Sequence, residues 1–496
     1  MSLDISLLLL VAFLLFTLVM FFCSLNKKVT NFREHAVGHR QFPTAALVAT
    51  IVASYYPGGL LKASITEASI GLWPISHRIT VAFLPLLTLS WLAGRMPKFM
   101  YDLSMPGSMA RAYGSYARLI TALFGFCHSI IMVALQIRLI ADTASLFITS
   151  VSPLAITLLI TLVLVIYAMF GGMRAITFTD VWQSIIFSTL IVVLAWLLLK
   201  KTGRPIIETI GFLQTQKKFE LNNIMPPGGK VVNILRYLSY MFTATSPYLV
   251  QHVYMCSSLA QTRKAFLYAG AFSTVIIICI TLVGLFVFVC FPHVPSAAIW
   301  NHFLSNTSPV LKGVVCIIIL SFAMSTVDSR LHVTSIMLAY DIPKSIHLLK
   351  RLVHLYQFRV VRIALLAVAL LTVVLACNFP ISILVQILLW YDRFYVPVIM
   401  APFILAVIGF RTTAQVALIG MATGLLSVLG WEQWIAPIVG TSSAHIPCML
   451  MNGLAMLIAH HLLTTPQIAQ TKKRVGSFKP IQSEHAVKNN TKDNIS

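Results

Sequence analysis

The sequence predicts an all-α membrane protein of thirteen transmembrane helices, arranged as a five-plus-five inverted repeat in which helices 2 and 7 are broken. Three observations carry that expectation. Of 496 residues, 58% are hydrophobic and only 10% are charged, more apolar surface than a water-soluble core of this size can hide. The apolar residues gather in thirteen runs, each of roughly 17 to 30 residues and so able to cross a hydrocarbon layer of about 30 Å. Helix breakers then interrupt two of these runs, five runs apart, at points where polar residues cluster.

The runs fall near residues 4–23, 43–72, 79–96, 119–148, 154–171, 180–199, 232–255, 266–291, 311–340, 360–377, 381–409, 414–430 and 444–463. The first lacks a basic flank and a small-residue cleavage site, so it reads as a helix and not a signal peptide. The second contains Ser54-Tyr55-Tyr56-Pro57-Gly58-Gly59 and the seventh Thr243-Ala244-Thr245-Ser246-Pro247. Unwound backbone at membrane depth survives only inside protein or beside a cavity. Breaks at matching positions therefore suggest two repeats, residues 43–199 and 232–409, with a binding site between them. Residues 1–463 form the membrane domain in this reading, and the basic, polar residues 464–496 a disordered tail.

A formal charge of +22 would suggest nucleic acid in a soluble protein. Here most Lys and Arg lie in short connections between apolar runs, which makes them a topology signal instead. One set of alternate connections holds 23 of them and the other eight, six of those within residues 200–231. The amino terminus is thus expected outside and the carboxyl terminus in the cytoplasm.

All eight cysteines lie in or beside apolar runs with no two separated by just two residues, so neither a redox pair nor a metal site is expected. No phosphate loop, catalytic triad or carboxylate pair emerges, and the chain does not read as an enzyme. His460 and His461 point about 100° apart on a helix and cannot share one ion well.

The most polar stretch inside an apolar run is Ser321-Phe-Ala-Met-Ser-Thr-Val-Asp-Ser-Arg330. A charge at the bilayer centre costs on the order of 3 kcal/mol even on the lenient insertion scale, so Asp328 and Arg330 require a protein interior, a cavity or an ion path. Asp328 serves either as a partner of Arg330 or Arg393 or as a coupling residue. Ser325 and Thr326 either bond the carbonyl one turn back or offer their oxygens to a ligand. Lys62 either holds a solute carboxylate or snorkels outward. Arg138 and Asp142, four apart, fit a helical ion pair, and Asp180 suits a helix cap or an ion gate.

Ala323-Met324-Ser325-Thr326 with Asp328-Ser329 resembles the ninth-helix signature of the sodium:solute symporters. Phe170-Gly171-Gly172-Met173-Arg174-Ala175 with Thr179-Asp180, Ala36 to Arg40, and Gln251-His252 through Ala265 are similar to that family's other motifs. The resemblance covers residues 30–430. It implies a bacterial inner-membrane symporter that imports a small organic solute, an amino acid such as proline or an organic acid, by alternating access with Na+ as coupling ion. It also implies a Na+ cage of the carbonyls of Ala53, Tyr56 and Phe322 and the hydroxyls of Ser325 and Thr326, with Asp180 on the ion's exit path.

Solute candidates are Tyr55, Gly58, Lys62, Ser239, Thr243, Ser246 and Pro247. Tyr55 replaces the acidic residue of proline permeases, and Ser239 and Thr243 replace their aromatic contacts. The segment from Tyr391-Asp392-Arg393 to Arg411 also resembles the transporter-like input domain of certain bacterial sensor kinases. The alternative is therefore a solute-sensing membrane module that signals through a separate kinase partner.

Overall fold

A computed structural model describes residues 5–24, 31–147, 152–225, 230–243, 245–346, 357–439 and 444–475. Those residues form helices joined by short connections, with no strand among them. Helix α1 spans Ile5–Ser24 and α2 Phe32–Val37. The second apolar run divides into α3 (Thr44–Tyr55) and α4 (Leu60–Ile70), and α5 (Leu72–Ala93), α6 (Met105–Tyr113), α7 (Ser115–Phe147) and α8 (Pro153–Thr202) follow. Beyond α9 (Ile206–Gln214), the seventh run divides into α10 (Lys230–Thr243) and α11 (Pro247–Met255). Then come α12 (Leu259–Cys290), α13 (Ile299–Ser305) and α14 (Pro309–Ile336). Later helices cover Gln357–Asn378, Ile381–Ile408 with a π turn at Val396–Met400, Ala414–Gly430 and His445–Val475.

Nine helices among the described residues are long and apolar enough to cross a membrane, or ten if the α3–α4 pair is one crossing. Leu8–Ser24 and Leu154–Ile166 are shorter apolar helices.

The α3–α4 pair bends by 66°. Pro57 has no amide hydrogen to continue the ladder, and Tyr56 at the end of α3 is extended at φ −96°, ψ 123°. The freed groups find partners, because the Gly58 N–H donates to Gln136 Oε1 at 2.8 Å. Gly58 is also a spacing requirement, since a Cβ there would lie 2.7 Å from Ala323 Cβ and 3.0 Å from the Ile319 carbonyl oxygen. In the other break, α10 stops at Thr243 and α11 begins with Pro247 as its first residue, after an extended Ser246 at φ −87°, ψ 154°. Both interruptions expected from the sequence are therefore present.

Two expectations need correction. Residues 172–179, the gap between the fifth and sixth apolar runs, are helical apart from Gly172 (φ 58°, ψ −160°), the kink at which two helices within Pro153–Thr202 meet. A side chain at Gly172 would meet His35 Nδ1 at 2.6 Å, and beyond it Thr177 and Thr179 donate to the carbonyls of Met173 and Ala175, which ties the polar stretch to its own helix. Nor does the polar tail begin at Thr464, since the last helix continues to Val475. Once a helix is nucleated, each added residue gains a hydrogen bond, so polarity alone does not end it. Residues 476–496 lie outside the described residues.

Helix α14 is the axis of the bundle. It packs against α8, α7, α1, α3 and Gln357–Asn378, and every residue from Leu320 to Ile336 is buried. The large apolar side chains left exposed, such as Leu162, Trp196, Leu370 and Leu426, lie on the outer helices, as a lipid-facing surface requires.

The close approach at Gly58 yields a test. Gly58→Val should lower the thermal unfolding midpoint of the detergent-solubilised protein, with an overpacking cost of roughly 1–3 kcal/mol. Gly211→Ala, where no atom lies within 4 Å of the added carbon, should leave it unchanged.

Candidate functional site

At the α3–α4 break the helix ladder no longer uses the carbonyls at the end of α3. Ser325 and Thr326 on α14 reach them. Ser325 Oγ lies 2.8 Å from the Ala53 carbonyl oxygen and 3.0 Å from that of Phe322. Thr326 Oγ1 lies 2.8 Å from the Tyr56 carbonyl oxygen and 2.9 Å from that of Phe322. The five oxygens singled out from the sequence are thus gathered in one place, and their residues are all buried. The bond to the carbonyl one turn back is present for both hydroxyls, Ser325 Oγ to Ser321 at 3.0 Å and Thr326 Oγ1 to Phe322 at 2.9 Å. Phe187 and Tyr56 pack on the ring of Phe322 and wall the cluster off.

A buried polar track leads away from these oxygens. Ser54 shares a 2.8 Å hydrogen bond with Ser329, Thr50 donates to Asp180 Oδ2, and Asp180 Oδ1 has no hydrogen-bond partner. Asp180 lies within α8, so it is not a helix cap. Asp328 accepts from the Ser329 N–H. Arg393 pairs with Glu432 at 2.7 Å.

On the other side of the break is a cavity of about 540 Å³, lined by residues that include Tyr55, Tyr56, Arg78, His128, Ser246, Tyr248, Arg330, Asp392 and Tyr395. Of the seven solute candidates, Tyr55 and Ser246 line it. The Tyr55 hydroxyl donates to the Val81 carbonyl at 2.6 Å, and Ser246 Oγ is buried without a partner. Four of the others lie elsewhere. Gly58 packs on α14, Lys62 is exposed, and Ser239 donates to the Arg236 carbonyl at 2.6 Å. Pro247 starts α11 against Gly125, and the Thr243 side chain is outside the described residues.

The cavity charges Arg78, His128 and Asp392 had no distinguishing signal in the sequence, because their partners are remote. Arg78 pairs with Glu67, and His128 Nε2 lies 3.2 Å from Asp392 Oδ1. Arg138 and Asp142 do form the expected pair, at 2.9 Å. No group of three or more His, Cys, Asp or Glu suited to a metal ion occurs among the described residues.

The flanking motifs meet at the far end of the bundle. Gln251 Nε2 donates to the carbonyls of Ala36 at 2.9 Å and Leu103 at 3.0 Å. Arg40 Nε donates to the Cys256 carbonyl at 2.8 Å, and Ser104 Oγ to Asp341 at 2.9 Å. Here burial, helped by His332 and Arg362, pushes the His35 pKa down to about 3, so the ring beside Gly172 is neutral. Burial also raises the Asp102 carboxyl against its hydrogen bonds from Arg111 and Ser108.

Residues 36–424 match the family model of the sodium:solute symporter family. Among solved structures, a Na+-coupled sialic acid symporter in a substrate-bound outward-open state has a TM-score of 0.74 at 16% identity, covering 92% of this chain and 96% of its own. A nucleobase-cation-symport-1 family transporter, in a closed conformation with bromovinylhydantoin bound, has a TM-score of 0.56 at 13% identity, covering 89% and 96%. At such identities the likeness speaks for the fold. No curated protein sequence matches the chain. The family model spans most of the sequence, and the chain belongs to the sodium:solute symporter family, with Na+ as coupling ion.

Proposed function

We propose that this sodium-coupled transporter imports a small organic solute, an amino acid or an organic acid, and holds its coupling ion between the α3–α4 break and α14. The ligands in this reading are the carbonyls of Ala53, Tyr56 and Phe322 and the hydroxyls of Ser325 and Thr326. The observation that carries it is the set of 2.8–3.0 Å contacts linking the two hydroxyls to those carbonyls. A hard monovalent cation prefers oxygen ligands, and a helix break supplies carbonyls for it. Ser325 could keep donating to Ser321 while turning a lone pair to the ion, and Thr326 could do the same toward Phe322. The ion would then replace proton-mediated contacts with a bond among all five oxygens.

Asp180 is proposed to receive the ion on its way inward, through Thr50 and Ser54. Its unpartnered Oδ1 supports that role. Alternating access would rock the two repeats around the cage, opening and closing the polar contacts among α2, α6, α11 and the end of α14.

The proposed topology has thirteen crossings of a bacterial inner membrane, an external amino terminus and a cytoplasmic carboxyl terminus, as the Lys and Arg placement favours. With the native cysteines replaced, a cysteine at Lys217 should react with an impermeant maleimide in intact cells. One at Lys98 should react only after permeabilisation. The reverse pattern would invert the topology.

For the ion, Ser325→Ala and Thr326→Ala should each raise the Na+ concentration for half-maximal uptake into proteoliposomes. A lost polar contact to a charge is worth about 1.5–3 kcal/mol, or roughly tenfold or more. Uptake by the unmodified protein that ignores Na+ would overturn the reading.

A further inference from the structure

We infer that the transported solute carries a carboxylate and that Arg330 binds it, an assignment that rests on the symport reading above. Arg330 follows Thr326 by one helical turn on α14, and residues four apart share a face. Thr326 reaches the Tyr56 carbonyl at the break, and Arg330 lines the cavity next to it. One helix face would therefore hold ion and solute together.

Arg330 is buried, 3% exposed, and carries a cationic guanidinium. It forms no ion pair among the described residues, and its Nε makes no hydrogen bond. It lies against the face of Tyr248, 3.7 Å from the ring centroid, with His128 Nδ1 at 3.5 Å from Nη1, and Asp392 and Tyr395 act on it electrostatically from across the cavity. The other cavity cations already have acids, Glu67 for Arg78 and Glu432 for Arg393. A buried charge without a direct ion pair is costly to maintain, and the planar fork of an arginine matches a carboxylate through two parallel hydrogen bonds. A cavity of about 540 Å³ falls in the range of small-molecule sites.

Asp392 decides between two kinds of carboxylate. His128 places Nε2 3.2 Å from Asp392 and Nδ1 toward Arg330. His128 thus lies between the guanidinium and the carboxylate. Asp392 is 38% exposed and lines the same cavity, so its free oxygen could accept from the ammonium of an amino acid. A simple organic acid would use Arg330 alone.

The test is ligand-induced thermal stabilisation of the purified full-length protein in nanodiscs. Amino acids and small organic acids would be compared with their methyl esters and amides, in Na+ and in N-methylglucamine. At least one acid should bind in Na+, with its ester and amide roughly tenfold or more weaker, as expected for losing a charged hydrogen bond. Arg330→Gln should erase that difference while leaving ester binding intact, and Arg330→Lys should restore part of it. Asp392→Asn should weaken the acid only if it is an amino acid.

Equal binding of acid and ester would overturn the assignment, as would a folded Arg330→Gln protein that keeps the preference or a panel in which no acid binds. An acid preference that persists unchanged without Na+ would contradict the coupling and leave Arg330 in place. Na+-dependent binding of a solute with no acid preference would do the opposite. The acid and ester comparison needs no variant, so a substitution that fails to fold leaves it decisive.

Discussion

The structure depends on carbonyl groups that a broken helix cannot satisfy itself. Pro57 ends the ladder, Tyr56 turns extended, and the carbonyls of Ala53 and Tyr56 are left at membrane depth, where no water replaces the lost partners. Helix α14 answers with two adjacent hydroxyls, Ser325 and Thr326, and comes close enough only because Gly58 has no side chain. This explains why α14 is buried and why its polar residues are concentrated near that crossing. The same contact joins residues more than 250 positions apart in the chain. Loosening it would detach the break from the rest of the bundle.

Charge is then distributed around this joint in a consistent way. Away from it, Arg138 pairs with Asp142 at 2.9 Å and Arg393 with Glu432 at 2.7 Å. Beside it, Asp180 keeps one oxygen without a hydrogen bond and Arg330 keeps its Nε without one. An acidic side chain and a basic one with unused hydrogen-bonding atoms, both close to this helix crossing, suit two ligands of opposite charge. In the proposed cycle these are Na+ and a carboxylate, and each favours the other because both sit on α14. Such coupling is reciprocal in free energy, so no separate wire between the sites is needed.

Much of this was legible in the chain. Pro57 with two glycines and Pro247 after a run of Ser and Thr mark both breaks, and the adjacent Ser325 and Thr326 are conspicuous in an apolar helix. Local spacing also predicted the Arg138 and Asp142 pair. Sequence was silent where contacts are made at long range. Nothing in the spacing of Arg78 and Glu67, or of Arg393 and Glu432, announces a pair, and the solute candidates that do not line the cavity show the same limit. Lys62 and Ser239 flank the breaks in sequence, but helical rotation takes Lys62 outward and returns Ser239 to its own backbone. Asp180 was ambiguous because a short polar stretch after Gly172 reads equally as a loop or as helix whose Thr side chains bond backward. Arg330 was recognisable as an internal charge, but its lack of an acid partner is visible only in three dimensions.

The central claim is that one cation replaces hydrogen bonds across the junction of α3, α4 and α14. Hydrogen–deuterium exchange in nanodiscs, with Na+ or N-methylglucamine and no solute present, addresses it directly. Exchange reports local opening, and a ligand that binds the closed form suppresses it. Na+ should slow exchange in peptides covering residues 50–62 and 320–332 together, while peptides from the outer helix Ala414–Gly430 stay unchanged. Exchange at both junction segments that is indifferent to Na+, or protection that appears only elsewhere, would contradict the account.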